Sequence, residues 1–121
     1  MKESGEMYLK EIYLLKKNNE IIRSIDVANK RSVSKPSVSR AMSMLKDKKY
    51  IMIDNDGIIS LTDTGVSYAK ELDGKFNTIY TYLKNFLDMP DCIAKRNACK
   101  MEHDISDALL NAMENKIKEE V

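Results

Sequence analysis

The sequence predicts a mainly α-helical chain in which a winged helix-turn-helix is followed by an α-helical dimerisation domain. Three features predict it. Apolar residues recur at spacings of three and four along most of the 121 residues, the signature of amphipathic helices. Two short helical stretches are separated only by Lys30-Arg31-Ser32-Val33, so they must meet at a sharp angle. After the second of them, the β-branched runs Tyr50-Ile51-Met52-Ile53 and Ile58-Ile59-Ser60-Leu61 flank Asp54-Asn55-Asp56-Gly57, which reads as a hairpin and therefore a wing.

The elements follow in order. Met7, Tyr8, Leu9, Ile12, Tyr13 and Leu15 predict a first helix over 5–17, ended by Lys17-Asn18-Asn19. Ser24 is placed to cap a short second helix carrying Ile25, Val27 and Ala28. Ser34 is placed to cap a third that begins Lys35-Pro36-Ser37, with proline in the first turn where its missing N–H costs nothing. Val38, Met42 and Leu45 form the buried stripe of that third helix. Thr62-Asp63 caps a long helix bearing Val66, Ala69, Leu72, Phe76, Ile79, Tyr80, Leu83 and Phe86, in which Gly65 and Gly74 are weak points. Met89-Pro90-Asp91 breaks it near Leu87. A further helix carries Cys92 to His103, and Ser106 caps a last one with Leu109, Leu110, Met113 and Ile117. The natural partition is 1–65 as one domain and 66–121 as the other. The apolar stripes of the last three helices exceed what some 55 residues can bury alone, which implies a homodimer.

Charge supplies the first functional signal. The chain is nearly neutral overall, at a formal +1, but residues 1–60 carry twelve basic and eight acidic side chains, leaving eight and eleven in the remainder. Within 23–49 the excess is six positive charges: Arg23, Lys30, Arg31, Lys35, Arg40, Lys46, Lys48 and Lys49 against Asp26 and Asp47. Cations clustered around a helix-turn-helix neutralise phosphates, while the start of the third helix can enter the major groove. The DNA-facing set is Lys35, Pro36, Ser37, Ser39, Arg40 and Lys46, and the implied partner is a double-stranded operator. A solvated helical surface is equally rich in charge, and winged helices also serve as protein-interaction modules.

Other classes find less support. Neither a signal-peptide pattern nor an apolar run near 18 residues is present, so a cytoplasmic protein without a membrane partner is expected. One histidine, with no glycine-rich phosphate loop and no nucleophile elbow, leaves no assembled catalytic set, so no enzyme is expected. Cys92 and Cys99, if on one helix, lie about 10 Å apart along its axis, too far for a disulfide.

The only histidine stands in "NACKMEHD", residues 97–104. On a helix, Cys99, Glu102 and His103 would project from one face, making a thiol, a carboxylate and an imidazole a possible metal-ligand set. The same side chains can be structural groups satisfied by hydrogen bonds, and spacing alone leaves both readings open.

"EMYLKEIYLL" at 6–15, "VSKPSVSRAMSML" at 33–45, "ISLTDTG" at 59–65 and "ACKMEHDISD" at 98–107 together resemble the iron-dependent and manganese-dependent repressors typified by the diphtheria toxin repressor and the manganese transport regulators. The resemblance implies an amino-terminal operator-binding domain, a helical dimer interface and a divalent metal between the two that favours the DNA-competent arrangement. Carried over by position, the ligands are Met7, Cys99, Glu102 and His103. Thioether and thiolate beside carboxylate and imidazole suit Fe(II), with Mn(II) less favoured. The family's usual second metal position falls on Phe76, Tyr80 and Lys95, none of which replaces a histidine or carboxylate there, so at most one ion per chain is expected. Arg31-Ser32 stands where the family tends to have leucine and glycine. With the chain ending near 121, the additional carboxyl-terminal domain of some members is not expected. Two rivals remain: a winged-helix regulator that has lost its metal response, and a thiol redox-sensing or interaction protein acting through Cys99, which Lys100 and His103 flank.

Overall fold

A computed structural model of the chain describes residues 3–19 and 21–120. The elements run α1 (Glu3–Asn18), α2 (Ser24–Arg31), α3 (Lys35–Asp47), β1 (Ile51–Ile53), β2 (Ile59–Leu61), α4 (Asp63–Phe86), α5 (Asp91–Met101) and α6 (Asp107–Glu119). They form two compact units, Met1–Lys70 and Glu71–Val121, with the division inside α4.

The first unit is a winged helix-turn-helix. Leu9 and Ile12 of α1, Val27 and Ala28 of α2, Val38, Met42 and Leu45 of α3, Ile51 and Ile59 of the hairpin, and Ala69 of α4 form one buried cluster. The sharp corner between α2 and α3 is made by Ser32, left-handed at φ 54°, ψ 44°. This lets the Val33 N–H close back on the Ala28 carbonyl at 3.2 Å, a Schellman-type ending. Ser34 caps α3 as the sequence predicts, its Oγ accepting from the Ser37 N–H at 3.4 Å. The cap of α2 differs from expectation. Ser24 is already helical, and Arg23 is the capping residue, its N–H donating to Asp26 Oδ2 at 2.8 Å. The carboxylate three residues into the helix outcompetes the hydroxyl, since it satisfies that N–H and also sits at the positive end of the helix dipole.

The wing pairs Ile51 with Leu61, Met52 with Ser60 and Ile53 with Ile59 in antiparallel register. Asp54 Oδ1 accepts from the N–H groups of Asp56 and Ile58, each at 2.9 Å, and Gly57 supplies the positive φ of 80° that closes the turn. Two contacts fasten the wing to the start of α2: Ile59 N–H donates to the Ile22 carbonyl at 2.8 Å, and Arg23 Nε to the Asp56 carbonyl at 3.2 Å. Thr62 ends the wing and begins α4, accepting from the Gly65 N–H at 3.0 Å while donating to the Lys49 carbonyl at 2.7 Å.

The second unit packs the later turns of α4 with α5 and α6 around Ile79, Leu83, Ala94, Ala98 and Met113. Pro90 precedes α5, and Ser106 caps α6 through the Leu109 N–H at 3.2 Å. One sequence reading in this unit needs correction. The fifth helix does not reach His103 but stops at Met101, because the N–H groups of Asp104 and Ile105 both turn back to the Met101 carbonyl, at 3.1 and 2.9 Å, and deliver Ile105 to the core. Leu109 of α6 and Ile25 of α2 are exposed apolar side chains.

Candidate nucleic-acid interface and metal centre

The first unit places the six predicted DNA-facing residues together on α3. Lys35, Pro36, Ser39, Arg40 and Lys46 are exposed, while Ser37 is half-buried because its hydroxyl lies 2.9 Å from Ser34 Oγ at the cap. The opposite side of α3 is anchored by Val38, Met42 and Leu45, which fixes the rotation of the helix and so its outward face. Arg31 lies over the Tyr8 ring at 5.6 Å from its centroid, tying the basic end of α2 to α1. The wing tip carries Asp54 and Asp56, both exposed, and such a tip repels phosphate.

In the second unit, Glu102 and His103 leave the end of α5 and turn inward. Their side chains are 0% and 2% exposed, and His103 Nε2 lies 4.0 Å from Glu102 Oε2. Two donors each about 2.1 Å from a single ion can be no more than about 4.2 Å apart, so this pair is within the reach of one metal. Cys99, one turn earlier on α5, is exposed. Among the described residues, no three His, Cys, Asp or Glu side chains converge on a common point. Met7 is half-buried on α1, in the other unit. The structure thus brings together two of the four sequence-predicted ligands.

At the positions expected to lack a second metal, Phe76 and Tyr80 stack with centroids 5.9 Å apart and planes 4° apart. The Tyr80 hydroxyl donates to Asp91, which also meets Lys95 at 3.1 Å and Lys84 at 3.3 Å. The Tyr80 hydrogen bond, with Lys95 and Lys84 behind it, lowers the Asp91 pKa from 3.8 to about 2. The Lys84 ammonium is held above its ordinary value by the same tyrosine and then by Asp91. Sequence reasoning recorded the loss of ligands but missed this network, whose members are spread over residues 80–95.

A helix-turn-helix with a hairpin wing and a cation-bearing third helix defines the first unit as a winged helix, followed by a separate helical unit with a buried acid–imidazole pair. Comparison with known proteins makes the class specific. Residues 1–57 match the family model of the iron dependent repressor N-terminal DNA binding domain, and residues 62–119 that of the iron dependent repressor metal binding and dimerisation domain. The chain belongs to the iron dependent repressor family. It is 32% identical over 114 residues to an uncharacterized HTH-type transcriptional regulator of Methanocaldococcus jannaschii, covering 93% of this chain and 91% of that one. Among solved structures it resembles the manganese regulator SloR, with a TM-score of 0.83 and 30% identity, and the metal-dependent transcriptional regulator MtsR, with 0.86 and 26%, over 94% of this chain in both cases. The chain spans about half the length of these solved structures, 53% of each. Among the described residues, no helix is long and apolar enough to cross a membrane.

Proposed function

We propose that the protein is a homodimeric transcriptional repressor that binds operator DNA through α3 when it holds one Fe(II) or Mn(II) ion per chain. The observation that carries the metal part is the buried Glu102–His103 pair. Both side chains are buried and their donor atoms lie 4.0 Å apart, a separation that one ion can bridge, and carboxylate with imidazole is a donor pair that suits a divalent transition metal. Cys99, exposed one turn earlier on α5, is carried as the third ligand on the resemblance. Met7 is carried as the fourth ligand on the resemblance. With a thiolate and a thioether in the set, Fe(II) is the better match. Phe76, Tyr80 and Lys95 leave no second set, so the stoichiometry is one ion per chain.

DNA recognition rests on α3. Lys35, Ser37, Ser39 and Arg40 are the base-edge readers, Pro36 shapes the entry of the helix, and Lys46 meets phosphate. The acidic wing tip is unsuited to phosphate contact, so α3 carries more of the recognition than the wing. Metal controls DNA binding only to the extent that it binds the DNA-competent arrangement more tightly. The manganese and metal-dependent regulators that the chain resembles support this reading over a constitutive or thiol-sensing regulator.

The test is selection of a binding site from random duplexes in the presence of Mn(II), followed by affinity measurement with metal and with chelator. Tighter binding with metal, by tenfold or more, and loss of binding in Arg40→Ala are expected. Equal affinity in both conditions would remove the metal response from this reading.

A further inference from the structure

Between α1 and α3 the first unit holds a groove of about 500 Å³, within the range of small-molecule sites. Its apolar surface comes from Tyr8, Ala41 and Met44, and its polar groups include Ser37, Arg40 and Lys48. No Asp or Glu is among the described residues that line it. Tyr8 is already the seat of a cation, since the Arg31 guanidinium lies over its ring. Residues 37, 40, 41, 44 and 48 follow one face of α3, so the cations stand on the same stripe as the apolar patch rather than on opposite sides of the helix. An apolar bed flanked only by hydroxyls and cations is complementary to one kind of ligand.

We propose that this groove binds a small amphipathic anion, an apolar body bearing one carboxylate or phosphate, and that the occupied groove withholds Ser37 and Arg40 from DNA. The first clause stands on the groove alone, and the second rests on the DNA-binding role proposed for α3. The body lies on Tyr8, Ala41 and Met44, and the acid group meets Arg40 and Lys48. A ligand so placed neutralises part of the recognition helix and acts as an inducer, separately from any metal.

The test uses the 121-residue chain and two dyes that share an apolar body, the sulfonate 8-anilinonaphthalene-1-sulfonate and its uncharged counterpart N-phenyl-1-naphthylamine. Saturable binding of the sulfonate near one per chain is expected, with weaker binding of the neutral dye. Arg40→Ala and Lys48→Ala, both exposed positions, should each weaken the sulfonate about tenfold, the worth of one charge-assisted hydrogen bond. Benzoate and phenyl phosphate as competitors separate a carboxylate ligand from a phosphate. Equal binding of both dyes, or binding indifferent to both substitutions, would overturn the site. The second clause is read on labelled duplex DNA with Mn(II) present: the sulfonate should displace DNA from the native chain and do so less from Lys48→Ala, which keeps the base-reading residues. Dye binding without displacement overturns the second clause. A chain that binds the dye but no DNA removes the role proposed for α3, while the dye arm still decides the site.

Discussion

Gly65 and Gly74 lie on the same helix and looked alike in the sequence, as two weak points in an apolar pattern, yet the fold treats them oppositely. A Cβ on Gly65 would stand 2.0 Å from the Tyr50 carbonyl oxygen, whereas one on Gly74 meets nothing within 4 Å. Gly65→Ala must push α4 away from the wing and is expected to destabilise by about 1–3 kcal/mol, the usual cost of overpacking. Gly74→Ala should stabilise by about 0.5–1 kcal/mol through helix propensity. Urea unfolding of the two variants checks the opposite signs. The distinction was illegible locally because it depends on a backbone carbonyl fifteen residues away in the chain. Ser32 was marked only by the resemblance, since the family tends to have glycine there, and the fold makes it left-handed at a φ of 54°. Ser32→Gly should relieve about 1 kcal/mol of strain and raise the denaturation midpoint. Asp91 illustrates a residue whose role only the fold reveals. Its pKa, lowered from 3.8 to about 2, means its contribution to stability is present above the ordinary carboxylate pKa and lost as pH falls from about 4 through about 2. Asp91→Asn should therefore flatten the stability profile in that window relative to the native chain. An unchanged slope would show that the Tyr80 and lysine contacts do not distinguish the folded from the unfolded state.

At the scale of elements, helices and wing were legible because each carries its own local signals. Ser34, Thr62 and Ser106 stand at N-caps, Pro36 in a first turn, and Gly57 in the hairpin turn. Ser106→Ala should cost about 1 kcal/mol, seen as an earlier thermal transition. What failed were decisions between competing local partners. At the start of α2 a hydroxyl and a carboxylate were both available, and the carboxylate prevailed at Asp26. At the end of α5 the apolar pattern continues through Ile105, so periodicity alone extends the helix, while the two N–H groups converging on Met101 end it. That ending matters for the candidate site. Glu102 is still helical as the C-cap of α5 and His103 lies in the turn beyond it, and both side chains are buried while the Cys99 thiol is exposed.

For the whole molecule, charge and burial divide along the chain. The cation excess lies in the helix-turn-helix, and the acid–imidazole pair lies in the unit that follows. The fold class was readable because two independent patterns, a winged helix and a helical region with a "CKMEHD" segment, occur in the order that one family uses. The groove between α1 and α3 was not readable, since it arises from residues 4–8 meeting 37–48 across the first core. In the proposed mechanism the buried Glu102–His103 pair serves a metal. Anaerobic calorimetric titration of Fe(II) and Mn(II) into the native chain and into His103→Ala, with Asp91→Asn as a control outside the proposed ligand set, tests it most directly. One ion per native chain, the same stoichiometry in the control, and loss of binding in His103→Ala are expected. Absence of binding, two ions per chain, or binding unaffected by the His103 substitution would contradict it.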